Sequence, residues 1–261
     1  FRSVKASEIA AAEPYFIGSH SGASGAWVSG PEDLQTAETK GTYFWGYENM
    51  TTVKGLFAAG DASGASSHKF SSGSCCEGRI AAKAMARFVV NEKPEHVEVA
   101  ADKIEAIKAA TLKPLVNYAE NVGKSTQADV NPHYILPKMF MMRMQKLMDE
   151  YAGGVTAQFM TSKPNLEKAL ELLDYLREDS DKLGAKDLHE LMRAWENVHR
   201  SYQAEAHVRA MLFREETRWP GYYFRSDKPK MDKDWECFVN CTFDEAKDEW
   251  TFKKVPIKHI M

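Results

Sequence analysis

The stretch that decides the fold runs from Gly55 to Ala82 and reads GLFAAGDASGASSHKFSSGSCCEGRIAA. Its first six residues, 55–60, are apolar and are followed by Asp61, as expected for a short buried parallel strand. A glycine- and serine-rich loop comes next, and then an alanine-rich segment with helical periodicity. The pattern predicts a strand, a loop and a helix in that order, an arrangement that α/β sheets use where they bind ligands.

The loop and the start of the helix carry the groups that would meet a bound cofactor. Asp61 could accept hydrogen bonds from ribityl or ribose hydroxyls, and Gly73 allows close approach of the backbone. N–H groups near Ser74 and Cys75 are predicted to lie at the helix N-terminus, where they favour negative charge such as that of a reduced flavin. A plain structural turn would explain the same pattern. The predicted cofactor-binding residues are Gly60, Asp61, His68, Gly73, Ser74 and Cys75.

Two histidines lie in glycine- and serine-rich runs. His68 is, with Lys69, the titratable group in the middle of the loop. It is either a structural loop residue or a polar group over a bound cofactor or substrate, where its charge could change near neutral pH. On the residues alone both interpretations of His68 stay open. His20 invites the same interpretation, although its surroundings also fit a turn between strands.

Composition argues against several classes of function. Of 261 residues, 44% are hydrophobic and 27% are charged, as in ordinary globular proteins. The net charge of -3, without any lysine- or arginine-rich tract, argues against a nucleic-acid partner. No apolar run approaches the roughly 18 residues that span a bilayer. We therefore expect no direct membrane insertion, and we predict a cytoplasmic location.

The cysteines predict no metal site in this chain. Cys75 and Cys76 are adjacent, and Cys237 and Cys241 are four residues apart, which suits neither a disulfide nor a zinc site. The spaced run of four cysteines that holds an iron–sulfur cluster is absent. We predict free thiols.

The remainder of the chain is predicted to be mainly helical. Five methionines between Met139 and Met148 are predicted to fill a core. From Trp235 the pattern alternates, and a polar turn at 244–248 interrupts it, which predicts a C-terminal β-hairpin. Helical periodicity, punctuated by prolines and glycines, predicts helices at about 98–111, 136–151, 164–184 and 187–217.

The quoted run resembles the C-terminal FAD-binding segment of the succinate dehydrogenase/fumarate reductase flavoprotein superfamily, in particular its adenylylsulfate reductase family. The segment from Arg214 to Trp219, with 225–229 and 234–235, resembles the superfamily's C-terminal Arg-Glu-Ser-Arg-Gly … Arg-x-Asp-x-Pro signature. The resemblance implies that Asp61 contacts FAD and that His68 lies at the isoalloxazine, where we predict it to be the catalytic residue. It also implies that Ser74 and Cys75 face the flavin O2.

Departures from the superfamily pattern point to the adenylylsulfate reductase family. Enzymes that act on dicarboxylates place an arginine shortly after the loop histidine, and a bidentate guanidinium–carboxylate pair is hard to replace. Here residues 69–73 read KFSSG and contain no arginine. The sequence also lacks a Gly-x-Gly-x-x-Gly fingerprint, so we expect residues upstream of Phe1 to hold the adenosine diphosphate half of the cofactor.

The resemblance implies a fold with an α/β FAD-binding portion, an incomplete Rossmann-like domain, followed by a helical domain with a C-terminal β-hairpin. The implied domains are the remainder of a capping domain with return strands at 1–44, the C-terminal part of the FAD-binding domain at 45–155, and the helical domain at 156–261.

The implied activity is the two-electron interconversion of adenylyl sulfate with AMP and sulfite through a flavin N5–sulfite adduct. FAD would be bound noncovalently. Iron–sulfur clusters would reside only in a partner β subunit of a heterodimer, and a membrane-bound electron-transfer complex is a further implied partner. Two alternatives stay open: another flavoprotein of the fumarate reductase or L-aspartate oxidase type, and a non-catalytic assembly fragment.

Overall fold

The computed structural model of the chain describes residues 25–64, 71–124, 132–218 and 224–258. The chain divides into two compact units between Val97 and Glu98, and each unit is described by itself. This division falls inside the segment 45–155 that was assigned to one domain. The domain boundaries taken from the resemblance stay a prediction.

Within its described residues, 25–64 and 71–97, the first unit contains one long helix, α1 (Ser71–Glu92), and two short 3₁₀ turns at Glu32–Leu34 and Gly60–Ala62. Phe88 of α1 is buried, and the rings of Tyr47 and Phe57 pack edge-on against it with centroids 5.3 and 5.9 Å away. Burial of Ala81 and Ala84 on the same face brings the loops close to the helix backbone. The described turns of this unit therefore pack against α1.

The predicted parallel strand at 55–60 has no ladder in the described part of this unit. Phe57 makes only an isolated antiparallel bridge to Met50, and Leu56 is exposed. The prediction of a buried parallel strand is therefore wrong for the residues that the structure describes. A parallel strand pairs with distant segments of the chain, and the neighbouring residues supply single bridges instead.

The second unit is mainly helical. Its short parallel pair β1 and β2 joins Thr161 to Arg225. The antiparallel hairpin of β3 and β4 pairs Phe243 with Trp250 beside its turn, which confirms the predicted C-terminal hairpin. The elements are α2 (Ala101–Asn121), α3 (Pro137–Tyr151), β1 (Met160–Thr161), α4 (Lys163–Ser180), α5 (Leu188–Phe213), β2 (Phe224–Arg225), β3 (Cys237–Asp244) and β4 (Glu249–Pro256).

The core of the second unit lies between α3, α4 and α5. Apolar residues recur along each helix at the three- and four-residue spacing that builds one buried face. Pro164 stands near the start of α4, where its missing N–H costs nothing, and Ser162 caps that helix. The most deeply buried members of this core are Phe140, Leu166, Ala169, Leu173, Leu183, Ala194 and Val208.

The methionines between 139 and 148 divide between core and surface. Met144 belongs to the core and Met148 packs against it, as predicted. Met139 and Met142 are exposed, so the prediction of core filling is wrong for these two. They occupy the opposite side of α3, whose buried face is set by Phe140, Met144 and Leu147.

Helix α2 continues past the predicted end at 111 and contains Pro114. A proline inside a helix removes one hydrogen bond and costs about 3 kcal/mol in isolation. Tertiary contacts offset that cost: the Pro114 carbonyl accepts a hydrogen bond of 2.8 Å from the Ala185 N–H, and the Asn117 amide donates to the Leu183 carbonyl at 3.0 Å. Sequence alone could not anticipate these partners.

Helix α5 ends at Phe213, before the predicted end at 217. Residues 214–218 leave the helix and hold the ion cluster described below. Among the residues that the structure describes, no helix has the length and apolar character needed to cross a membrane.

Candidate functional site

The candidate site is the turn that follows Ala59. Gly60 is buried and has a φ of +64°, a conformation that side chains disfavour. A Cβ at this position would lie 3.0 Å from the Ser74 Oγ and 3.2 Å from its Cβ. The turn therefore packs directly against the first turns of α1, and glycine meets both the backbone and the space requirement.

A carboxylate on α1 fastens this turn. The Glu77 Oε2 accepts hydrogen bonds from the Gly60 N–H at 2.7 Å and from the Ser63 hydroxyl at 2.8 Å. Ser63 is buried, so this contact is shielded from water. Sequence reasoning missed Glu77. The available signal was weak: an acidic residue in the second turn of a helix that follows a Gly-Asp turn.

The segment around Ala26 holds the other side of the turn. The Ala26 N–H donates to the Ala62 carbonyl at 2.8 Å, and the Gly64 N–H donates to the Ala26 carbonyl at 2.7 Å. Ala26 and Ser63 thereby form an isolated parallel bridge. The described part of the loop is thus fixed from two directions, by α1 and by an earlier segment of the chain.

The structure brings most of the predicted cofactor-binding residues together. Gly60 contacts Ser74, and Asp61 is exposed in the same turn. Gly73 and Ser74 are half-buried, while Cys75 is exposed one residue further along α1. His68, the predicted catalytic residue, and His20 lie outside the described residues.

The helix begins earlier than the sequence pattern indicated. Within the described residues α1 is already helical at Ser71, three residues before Ser74. The N–H groups near Ser74 and Cys75 were predicted to lie at the helix N-terminus, and the helix begins no later than Ser71.

These residues fit the flavin end of FAD. The exposed carboxylate of Asp61 suits hydroxyl donors, and the N-terminal side of α1 suits a group that becomes negative on reduction. The Gly60 N–H donates its hydrogen bond to Glu77, so Gly60 serves the site by setting the backbone conformation of the turn. Among the residues that the structure describes, no group of three or more His, Cys, Asp or Glu is arranged to hold a metal ion, and the four cysteines are free thiols.

The second unit contains a buried carboxylate with two arginines. Glu216 has no exposed surface, and its Oε1 accepts hydrogen bonds of 2.6 Å from both Arg214 and Arg218. The Asp232 N–H donates to the Glu216 Oε2 at 3.0 Å. Burial alone would raise the pKa of Glu216, but the hydrogen bonds from Arg218, the Asp232 N–H and Arg214 outweigh it and hold the pKa below its ordinary value.

Arg225 is also structural. It is almost fully buried, and it pairs in a bidentate manner with Asp227 at 2.9 and 2.7 Å. Its Nη1 donates to the Met211 carbonyl at 2.5 Å, which ties β2 to the end of α5. The hydrogen bond from Arg225 lowers the pKa of Asp227. Arg214, Arg218 and Arg225 thus form ion pairs with carboxylates of the second unit.

A third carboxylate joins the hairpin to the helices. Glu205 of α5 is buried and accepts hydrogen bonds from Arg209 at 2.7 Å and from the Trp250 indole at 2.9 Å. Arg177 of α4 also contacts Glu205. Arg177 and Glu205 are 28 residues apart in the chain, so only the tertiary fold brings them together.

Comparison with solved structures first identifies the fold. The chain shares its fold with the quinol fumarate reductase of E. coli, with a TM-score of 0.60 and 18% identity over 81% of this chain and 35% of that one. No family model matches the sequence. The fold is therefore that of the succinate dehydrogenase/fumarate reductase flavoproteins.

A much stronger similarity then specifies the relatives. The chain is 46% identical to the adenylylsulfate reductase subunit alpha of Megalodesulfovibrio gigas, across 98% of this chain and 39% of the relative. It matches the adenylylsulfate reductase of Archaeoglobus fulgidus with a TM-score of 0.84 and 53% identity, over 90% of this chain and 37% of that one. A structure of adenosine-5-phosphosulfate reductase in complex with sulfite, described as a covalent adduct, gives a TM-score of 0.86 and 54% identity over the same shares.

The chain is therefore a relative of the adenylylsulfate reductase α subunit, and the resemblance that its motifs indicated is confirmed. It spans about two fifths of the length of these relatives, with 39% and 37% covered.

Proposed function

We propose that this chain is the flavin-proximal part of an α subunit that interconverts adenylyl sulfate with AMP and sulfite. The observation that carries the proposal is the turn at Gly60–Ala62, packed on α1, in a chain that is 46% identical to an adenylylsulfate reductase subunit alpha. When bound, noncovalent FAD would supply the two-electron redox chemistry.

The residues of this chain would bind and orient that cofactor. Asp61 would accept hydrogen bonds from hydroxyls of the cofactor, because its carboxylate is exposed in the turn. Gly60 would keep the turn close to α1, and the first turn of that helix would stabilise negative charge on the flavin. Gly73, Ser74 and Cys75 would form the wall that faces the flavin.

His68 would act on substrate or flavin as a hydrogen-bond donor that meets developing charge. Such a donor affects turnover more than binding, and losing one typically lowers kcat by about 10²–10³. The proposal that His68 is the catalytic residue follows from its place in the motif alone.

The domain organisation is part of the proposal. The first unit would be an incomplete Rossmann-like α/β portion, completed by parts of the relatives' length that this chain does not span. This part of the proposal rests on the resemblance of the 55–82 run and on the similarity to adenylylsulfate reductases. We keep the boundaries 1–44, 45–155 and 156–261 as proposed. A partner β subunit with iron–sulfur clusters, a membrane-bound electron-transfer complex and a cytoplasmic location complete the proposal.

The decisive experiment compares substrates on the full-length protein that contains this chain, purified with its partner. We expect AMP-dependent oxidation of sulfite with an artificial electron acceptor, and no turnover of succinate, fumarate or L-aspartate. His68→Ala should lower kcat by about 10²–10³ with FAD retained, and His20→Ala should lower it much less. Activity on a dicarboxylate alone would overturn the proposal, and a His68→Ala kcat within about threefold of wild type would overturn the catalytic assignment.

A further inference from the structure

Helix α1 has two neighbouring faces, and the described part of the first unit covers one of them. The covered face is buried or half-buried along its length and consists of Ser74, Glu77, Ala81, Ala84 and Phe88. A helix turns by about 100° per residue, so the residues that directly follow these five lie together on a neighbouring face. This second face has no charged member and consists of Cys75, Gly78, Ala82, Met85 and Val89.

The second face is exposed along its whole length. Met85 is 42% exposed and Val89 is 57% exposed. A Cβ built at Gly78 would meet nothing within 4 Å. A surface helix typically has one apolar face toward its core and polar residues elsewhere. Here the apolar residues continue past the covered face, and contiguous exposed apolar residues mark an interaction surface.

We infer that the second face of α1 binds a part of the same α subunit that this chain does not span. This inference rests on the proposed domain organisation and not on the proposed reaction. The chain covers 39% and 37% of the relatives' length, so more than half of such a subunit can supply the covering segment. A segment of the same polypeptide also has a high effective concentration at this face, which favours it over a second copy or a separate subunit.

The face and its border define the chemistry of the covering segment. Gly78 and Ala82 have little or no side chain, so a backbone can approach α1 closely there. Arg79 and Lys83 follow them in the sequence and border the second face on the side away from the covered one. Arg87 pairs with Glu48, whereas Arg79 and Lys83 form no ion pair within the described residues. The covering segment is therefore apolar and carries a carboxylate opposite Arg79 or Lys83.

The second face begins at the candidate site. Cys75 belongs both to this face and to the residues that would face the flavin. The turn at Gly60 packs against Ser74, on the covered face. A segment bound to the second face would therefore hold α1 from another side and end beside the cofactor.

The test is the reactivity of a thiol placed on the second face of the full-length protein. Ala82→Cys is a small change in the middle of that face. Maleimide labelling of this position is followed by peptide mass spectrometry, which separates it from the native cysteines. A covered thiol reacts only when the contact opens, so we expect labelling at least about 100-fold slower in the folded protein than in denaturant.

Ala246→Cys is the matched control. Ala246 is equally exposed in the structure, but it lies in the polar turn of the hairpin, between Glu245 and Lys247. The same chemical change there should give a labelling rate within about tenfold of the rate in denaturant.

The charged border has its own test. Replacing both cations, as Arg79→Glu and Lys83→Glu, in the Ala82→Cys protein would place like charges opposite the carboxylate of the covering segment. Like-charge contacts weaken an interface, so we expect labelling at Ala82→Cys to become about tenfold faster or more. An unchanged rate would overturn the carboxylate assignment.

The remaining outcomes separate this inference from its alternatives and from the proposed function. Labelling of Ala82→Cys at nearly the same rate in the folded protein as in denaturant would overturn the inference, whatever the activity of the protein. Protection that disappears on dilution would identify a second copy, and protection that disappears on removal of the partner subunit would identify that subunit. Either result would overturn it. Protection in a protein that does not oxidise sulfite with AMP would support the inference and count against the proposed function alone.

Discussion

In the first unit, hydrogen bonds and close contacts around one backbone turn form the candidate site, whereas a continuous core of apolar side chains stabilises the second unit. The turn at Gly60 is positioned by close packing against Ser74 and by a hydrogen bond to Glu77. In the second unit, α3, α4 and α5 bury apolar faces against one another. The described part of the first unit has no comparable cluster around its turn.

The difference also concerns carboxylates. Glu216 is buried and accepts hydrogen bonds from two arginines, so its charge is balanced where it is generated. The described donors to Glu77 are a backbone N–H and a hydroxyl. Two charged donors balance the charge of Glu216, which suits a structural role within the second unit. The Glu77 carboxylate joins the Gly60 turn to α1 through a backbone N–H and a hydroxyl.

The largest effect on stability is expected from Glu216→Ala in the full-length protein. The substitution would leave the guanidinium groups of Arg214 and Arg218 without their carboxylate, and breaking a buried pair costs about 3–5 kcal/mol. Glu215→Ala is the matched control, since the neighbouring Glu215 makes an exposed pair with Lys228 at 3.4 Å. It should cost no more than about 1 kcal/mol. Equal losses of unfolding free energy for the two variants, measured by denaturant titration, would contradict the structural role of Glu216.

The same carboxylate predicts how stability depends on pH. The pKa of Glu216 in the folded protein lies below its ordinary value of 4.5. Its stabilising contribution is therefore complete above pH 4.5 and is lost as the pH falls through the folded-state pKa. On acidification below that value, wild type should lose more free energy of unfolding than Glu216→Gln.

A smaller or similar loss is expected from Leu173→Ala, which tests the core of the second unit. Leu173 is 2% exposed in the middle of α4. Removing a buried leucine side chain costs about 2–5 kcal/mol, depending on how far the cavity collapses. Leu188→Ala makes the same chemical change at a residue that is 72% exposed, and it should stay within about 0.5 kcal/mol of wild type. Thermal unfolding of both variants would show whether the core lies where the structure has it.

The smallest change in stability, about 1–2 kcal/mol, is expected from Gly60→Ala, but with a loss of bound FAD. Gly41→Ala provides the comparison, because Gly41 also has a positive φ, of +81°, and a Cβ there would meet nothing within 4 Å. Both substitutions place alanine at a positive φ, which is strained, but only Gly60→Ala pushes the turn away from Ser74. FAD content measured after extraction should fall in Gly60→Ala alone. Equal FAD content in the two variants would contradict the importance of the close packing.

Local sequence patterns predicted the helices of the second unit and its hairpin. Apolar residues at three- and four-residue spacing mark α3, α4 and α5, and alternation around a polar turn marks β3 and β4. Predictions that needed a distant partner were less accurate. Pro114 was taken as a helix end, but contacts from Ala185 and Leu183 keep it inside α2.

The sequence by itself determined which residue types stand at the candidate site: a glycine and an aspartate before a glycine- and serine-rich loop, and a helix after it. Only the tertiary structure decided that Glu77 reaches back to Gly60 and Ser63, and that Glu205 and Glu216 lie among arginines. The physical reason is range. Periodicity and turn chemistry act between neighbours along the chain, whereas the partner of a buried carboxylate is set by how whole elements pack.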